Sequence, residues 1–105
     1  MLFRSLVILG MGEDGHLASL FPGDIDALLE KEKFALHTTT DRFAVHDRLT
    51  VTLPVLTGAT HSLFLLKGKG KKKTFAETLS ANVDPMEFPA HALLETGRTV
   101  WLTHW

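Results

Sequence analysis

The segment from Leu6 to Pro22, L6-V-I-L-G-M-G-E-D-G-H-L-A-S-L-F-P22, decides the fold of this 105-residue chain. Residues 6–9 form a continuous apolar run, which is typical of a parallel strand that is covered on both faces. The turn Gly10–Gly15 then supplies three glycines, which tolerate positive φ and let the backbone approach a ligand closely. The pattern predicts a ligand site at the carboxyl end of a buried strand, where open α/β sheets bind their ligands.

The residues after this turn predict a short helix. Apolar side chains follow at i, i+3 and i+4: Leu17, Leu20 and Phe21. Pro22 with Gly23 then ends the helix. We therefore expect Asp14 to cap it and His16 to lie in its first turn.

The glycine spacing allows a second interpretation. Gly10, Gly12 and Gly15 match the G-x-G-x-x-G fingerprint of dinucleotide-binding sites. Glu13 and Asp14 argue against it, because they would put two carboxylates where the pyrophosphate should lie. No acidic residue closes a clear second strand at the ribose-binding offset either, so the sequence favours a different ligand.

Four segments, in order along the chain, resemble 6-phosphogluconolactonases, enzymes related in fold to glucosamine-6-phosphate deaminases. The first segment is similar to the family signature G-x-G-x-D-G-H-x-A-S-x-F-P. The others are R48-L-T-V-T-L-P-V-L56, L63-F-L-L66 with G68-K-G-K71, and F88-P-A90 with G97-R-T-V-W-L102. The resemblance implies a three-layer α/β/α sandwich with a mainly parallel sheet.

Members of this family are considerably longer than this chain. The resemblance therefore implies that residues 1–105 are the carboxyl-terminal part of a single domain. The missing amino-terminal half should hold an earlier glycine-rich phosphate loop and an acidic segment with a substrate-binding arginine. An incomplete sandwich exposes a sheet edge and apolar faces, so we expect marginal stability or self-association.

Composition excludes several classes of protein. Apolar residues make up 45% of the chain, enough for a folded core, and the absence of cysteine rules out disulfides and suits the cytoplasm. A net charge of -1 gives no general attraction to nucleic acid or membranes. The start Met1–Ser5 before an apolar run is similar to a signal peptide, but the polar turn interrupts that run. No apolar stretch is long enough to span a bilayer.

The rest of the chain predicts further elements. A helix or loop is expected at 24–33, strands at 34–40, 48–52, 62–66 and 98–102, a helix at 71–81, and a loop at 82–89. Leu53-Pro54 should open a short helix capped by Thr52. This strand–helix–strand unit implies parallel pairing of 48–52 with 62–66. Phe75 and Leu79 should form the buried face of the helix at 71–81.

Opening a lactone requires a base that activates water, and an imidazole suits this role near neutral pH. His16 resembles the family's histidine in this role, and Asp14 resembles the acid that orients it. Gly10, Gly12 and Gly15 are predicted to bind substrate, and their turn's amides are candidate oxyanion donors. The alternatives stay open: His16 merely packs, and Asp14 is a plain helix cap.

The segment Gly68–Lys73 gathers lysines at a predicted helix start, the end that repels cations, so an anion is expected there. Lys71 aligns with the family's phosphate-binding lysine, although a solvated charge run is the alternative. The pattern does not fit a Walker A loop. Arg48 is a further substrate-binding candidate, with a surface ion pair as its alternative. The remaining histidines show no zinc-ligand spacing, so no metal is expected.

The resemblance predicts hydrolysis of 6-phosphoglucono-1,5-lactone to 6-phosphogluconate in the pentose phosphate pathway, with no cofactor. The expected partner is therefore a small phosphosugar lactone. Two alternatives remain open: deamination and isomerisation of glucosamine-6-phosphate, and a non-catalytic remnant that needs a partner segment.

Overall fold

The computed structural model describes residues 3–80 and 82–105. The elements, in chain order, are β1 (Phe3–Leu9), α1 (Ile25–Leu29), β2 (Ala35–Thr39), β3 (Asp47–Val51), α2 (Leu53–Thr57), β4 (Ala59–Lys67), α3 (Lys69–Thr78), α4 (His91–Leu94) and β5 (Thr99–His104). The predictions that concern Met1, Leu2 and Ala81 fall outside the described residues. None of the helices within the described ranges is long and apolar enough to cross a membrane.

The main sheet has the strand order β1-β4-β5, and both pairings are parallel. In register, Ile8 pairs with Leu63 and Leu63 with Val100, so one row crosses all three strands. Helices connect β4 to β5, as a parallel pairing requires. The predicted fold class, α/β with a mainly parallel sheet, is confirmed.

A second sheet pairs β2 with β3 in antiparallel orientation. The prediction that residues 48–52 pair parallel with 62–66 is therefore wrong. Only residues 52–58 connect β3 to β4, whereas a parallel crossover needs about a dozen residues or more. The chain instead pairs β3 with its predecessor through a hairpin.

The segment that follows Gly15 is not a helix, which corrects the prediction. Leu17 and Leu20 exchange backbone hydrogen bonds of 3.1 and 2.8 Å and form a tight turn. Ala18, inside this turn, has φ of 53°, a left-handed conformation that an α-helix excludes. Leu17, Leu20 and Phe21 are nevertheless buried, because the turn also directs them into the core. The spacing thus identified the buried residues but not the backbone.

The two faces of the main sheet differ in their cover. Phe64 and Leu66 are buried on one face, where Trp101 packs against them with the rest of the core. The other face carries apolar side chains that are 49–60% exposed: Leu6, Ile8, Leu65, Val100 and Leu102. The expectation that β1 is covered on both faces therefore does not hold among the described residues.

Two predictions about helices need correction. Thr52 does occupy the N-cap position of α2, but its hydroxyl donates to the Lys33 carbonyl at 2.8 Å instead of capping the helix. In α3, Thr74 and Thr78 are buried and Phe75 packs against the core, whereas Leu79 is exposed. The predicted buried face is thus confirmed for Phe75 and wrong for Leu79.

Candidate active site

The glycine turn places His16 just beyond the carboxyl end of β1. The amide of Gly12 donates to the His16 carbonyl at 2.9 Å, and the amide of Gly15 donates to the Gly12 carbonyl at 2.9 Å. The Thr74 hydroxyl of α3 donates to the Glu13 carbonyl at 2.6 Å. These bonds fix the turn internally and tie it to the helix that follows β4.

Gly12 is required at this position by a close approach of side chains. A Cβ atom on Gly12 would collide with the His16 ring and with the Asp14 carboxylate. The ring of His16 therefore lies against bare backbone, a position that any other residue at 12 would block.

Asp14 holds the His16 ring on one side. Its Oδ1 accepts a 3.0 Å hydrogen bond from the His16 amide and lies 2.6 Å from Nδ1 of the ring. Its Oδ2 accepts a 3.0 Å hydrogen bond from Nη1 of Arg42. Both carboxylate oxygens of Asp14 are thus engaged, each by a different partner.

The charge of Asp14 follows from these contacts. Burial raises the pKa of Asp14, but the hydrogen bonds from His16 and Arg42 outweigh burial and lower the pKa below its ordinary value of 3.8. The carboxylate is therefore ionised near neutral pH and only accepts hydrogen bonds. In a neutral ring, Nδ1 then carries the proton, and Nε2 keeps the free lone pair that a base needs.

Aromatic rings hold the imidazole on its other sides. Phe21 and Phe43 each lie 5.0 Å from the His16 ring, centroid to centroid, and the Phe43 contact is edge-on. The Arg48 guanidinium lies over these same rings, 5.8 and 5.6 Å from their centroids, and its Nε donates to the Val45 carbonyl.

A cavity of about 340 Å³ joins the predicted site residues. It is lined by Gly10, Met11, Gly12, His16, Ala18 and Lys71. The fold thus brings His16 and Lys71 to one hollow although they are far apart in sequence. Asp14 lies behind His16 rather than in the lining. Gly15, which faces Phe88, and Arg48 do not line this cavity.

Lys71 lies in the first turn of α3, directly after β4. The positive end of the helix dipole and the ammonium group together favour an anion here. The Glu13 carboxylate already lies against Gly70 in the same turn, so closely that a Cβ at residue 70 would collide with it. One protein carboxylate is thus held next to the predicted phosphate site.

The sequence profile of the family described as glucosamine-6-phosphate isomerases/6-phosphogluconolactonase matches residues 3–101. The chain belongs to this family. A probable 6-phosphogluconolactonase of Dictyostelium discoideum is 40% identical over 94 residues, which cover 90% of this chain and 40% of that protein. The 6-phosphogluconolactonase of Homo sapiens is 38% identical over 99 residues, 91% of this chain and 37% of that protein.

Solved structures of the family agree with the fold. The 6-phosphogluconolactonase of Thermotoga maritima superposes with a TM-score of 0.79 at 33% identity, covering 96% of this chain and 43% of that one. The one from Plasmodium vivax gives 0.79 at 26% identity, covering 96% and 45%. The chain therefore spans about two fifths of the length of the family members that it matches.

Two residues of this site escaped the sequence analysis. Arg42 and Phe43 fall in the loop between β2 and β3, a segment whose sequence resembles an ordinary polar connection. Only the hairpin pairing of β2 and β3 brings this loop to His16, so no local signal marks it. Within the described part of the chain, no group of three or more His, Asp or Glu residues is arranged to hold a metal ion.

Proposed function

We propose that this chain provides the catalytic histidine, its orienting acid and the phosphate-binding lysine of a 6-phosphogluconolactonase. The substrate is 6-phosphoglucono-1,5-lactone, and the product is 6-phosphogluconate. The observation that carries the proposal is that His16 and Lys71 line one cavity while Asp14 bonds Nδ1 of His16. The names of the family's relatives support the same substrate.

His16 acts on the attacking water. Its Nε2 takes a proton from water as the oxygen attacks the lactone carbonyl carbon, which gives a tetrahedral oxyanion and an imidazolium. The ring C–O bond of the lactone then breaks, and the imidazolium returns its proton to the departing oxygen. Asp14 stabilises the transient imidazolium and keeps the proton of the neutral ring on Nδ1.

Lys71 holds the substrate's phosphate at the start of α3. A phosphate bound there sits at a fixed distance from His16, so the lactone carbonyl is presented to the water that His16 activates. Oxyanion stabilisation by the turn receives less support, because the amides of Gly12 and Gly15 already donate within the turn.

The decisive test compares the chain alone with a chimaera that has the length of a family member. We propose that the chain corresponds to the carboxyl-terminal part of a family domain, so the amino-terminal part of the Dictyostelium discoideum relative can be joined to it. The chimaera should hydrolyse the phosphorylated lactone, and the chain alone should be much slower. An inactive but folded chimaera would favour the non-catalytic remnant, and ammonia release from glucosamine-6-phosphate would favour the deaminase.

Two substitutions assign the roles within that chimaera. His16→Gln should lower kcat by about 10²-fold or more, because the general base is lost. Lys71→Ala should raise KM about tenfold, because one charge-assisted bond to phosphate is lost. Lys73→Ala is the matched control, since Lys73 lies on the same helix, is 88% exposed and pairs with Glu77. Equal effects of the two lysine substitutions would remove Lys71 from the site.

We also propose that the chain self-associates through the exposed part of its main sheet. Five apolar side chains of β1, β4 and β5 lie together on the uncovered face, and β1 and β5 form the two edges of the sheet among the described residues. Sedimentation velocity over a range of concentrations tests this, and a monomer at all concentrations would contradict it. A cytoplasmic site of action is proposed from the sugar-phosphate substrate, and cell fractionation tests it.

A further inference from the structure

The loop 40–46 connects β2 to β3 and has a defined shape. The Thr40 amide donates to the His46 carbonyl at 3.0 Å and closes the loop. Inside it, the Arg42 amide donates to the Thr40 hydroxyl at 3.1 Å, which fixes the start of the loop. The strand pairing continues directly below, where Thr39 pairs with Asp47. The loop therefore continues the hairpin that β2 and β3 form.

Two consecutive side chains of this loop contact the histidine site. Arg42 donates to Oδ2 of Asp14 at 3.0 Å, and Phe43 lies edge-on to the His16 ring at 5.0 Å. Phe43 also lies 6.2 Å from Phe21, which contacts the same imidazole. The hairpin thus reaches both the acid and the ring from one side.

We propose that Arg42 and Phe43 are positioning residues of the active site: Arg42 fixes the Asp14 carboxylate, and Phe43 fixes the plane of the His16 ring. The inference rests on the proposed function, because positioning matters only if His16 acts as the base. Neither residue lines the cavity, so both act through Asp14 and His16 rather than on substrate.

The geometry explains why the acid needs a second partner. A carboxylate that accepts a bond on Oδ1 alone can turn about its Cβ–Cγ bond and exchange its two oxygens. Arg42 occupies Oδ2 and leaves Oδ1 for the amide and ring of His16. The side chain of Arg42 is 54% exposed, so its loss should disturb the site more than the core.

Nuclear magnetic resonance of the 105-residue chain tests the proposed role of Arg42 and requires no enzymatic activity. Arg42→Ala should shift the pKa of Asp14 upward by about half a pH unit, as loss of a partly exposed ion pair implies. It should also lower the fraction of neutral His16 rings that carry their proton on Nδ1, read from the ¹⁵N shifts. Arg42→Lys should restore most of both, because it keeps the charge.

Two controls separate positioning from general effects. Lys31→Ala removes an exposed cation that lies outside the site, and Val45→Ala alters an exposed side chain in the same loop. Neither should change the pKa of Asp14 or the tautomer of His16. If Arg42→Ala also leaves both unchanged, whatever it does to the melting temperature, the proposal for Arg42 is wrong.

The proposed role of Phe43 is tested by nuclear Overhauser measurements on the His16 ring and by kinetics. Phe43→Ala should weaken the nuclear Overhauser contacts between His16 and Phe21 because the ring gains freedom, and Phe43→Leu should restore part of them. In the active chimaera, Arg42→Ala and Phe43→Ala should each lower kcat several-fold and leave KM unchanged, because the phosphate anchor is intact. An altered KM with unchanged kcat would overturn the positioning role of either residue. If the chimaera is inactive, the resonance data on the 105-residue chain decide the proposal.

Discussion

The two faces of the main sheet use the same three strands and differ in what covers them. On one face, Phe64 is fully buried and stacks on Trp101 with ring centroids 4.1 Å apart and planes 12° apart. On the other face, Ile8 is 60% exposed and Leu65 is 49% exposed, although these side chains are also apolar. Alternation along a strand sets which face a side chain joins, but the layers above that face decide its burial.

The comparison also explains where the site is built. Leu17 and Leu20 follow His16 in the same loop and, together with Met11, are buried in the core that packs on the covered face. The loop that carries His16 is therefore anchored by the same apolar contacts that stabilise the sheet. Nothing among the described residues gives the uncovered face a comparable role.

The largest effect should come from the covered face. Phe64→Ala should lower the free energy of unfolding by about 3–5 kcal/mol, because it leaves a cavity beside Trp101. Denaturant unfolding followed by tryptophan fluorescence measures this change. Phe64→Leu keeps most of the volume and should cost clearly less; a loss below about 1 kcal/mol for the alanine variant would show that the two faces are energetically alike.

A smaller loss is expected at the end of the main sheet where β4 and β5 begin. Arg98 donates to the Thr57 carbonyl at 2.8 Å and to the Ala59 carbonyl at 3.3 Å, and so joins β5 to the start of β4. Arg98→Ala should cost about 1–3 kcal/mol, because it leaves carbonyl groups without their partner. Arg98→Lys can replace only one of the two bonds and should recover part of that loss in the same unfolding measurement.

The loop that carries Asp14 and His16 makes a pH-dependent contribution to the free energy of unfolding. Because the pKa of Asp14 is lowered in the folded state, its stabilising contribution is present above the unfolded value of 3.8 and is lost as pH falls through the folded pKa. Acid should therefore destabilise the wild type more steeply than Asp14→Asn below about pH 4. Thermal unfolding at a series of pH values measures the difference, and parallel profiles would contradict it.

The smallest change in stability should come from the uncovered face. Leu65→Ser should alter the free energy of unfolding by no more than about 0.5 kcal/mol, since the side chain gains little from folding. The same variant should weaken self-association in sedimentation experiments, because it interrupts the apolar patch. A loss above about 2 kcal/mol in dilute solution would show that Leu65 is covered within a single chain.

The sequence predicted the strands well because their signals are local. The run at residues 6–9 falls within β1, and the apolar segment at 62–66 falls within β4. The sequence-based prediction was wrong at residues 17–21, because a tight turn can satisfy helical spacing as well as a helix does. It was also wrong at β3, because the short connection to β4 prevents these two strands from pairing in parallel. Spacing reports which residues are buried, and it does not report the backbone path that buries them.

The sequence by itself identified a candidate base, His16, a candidate orienting acid, Asp14, and a candidate phosphate-binding lysine, Lys71, because these residues lie in short motifs that resemble those of the family. Tertiary structure alone decided that His16 and Lys71 share a cavity and that Arg42 and Phe43 reach the site from another sheet. The physical reason is that contacts between residues far apart in the chain depend on how layers and hairpins pack. That packing is a property of the whole core and is not encoded in any short segment.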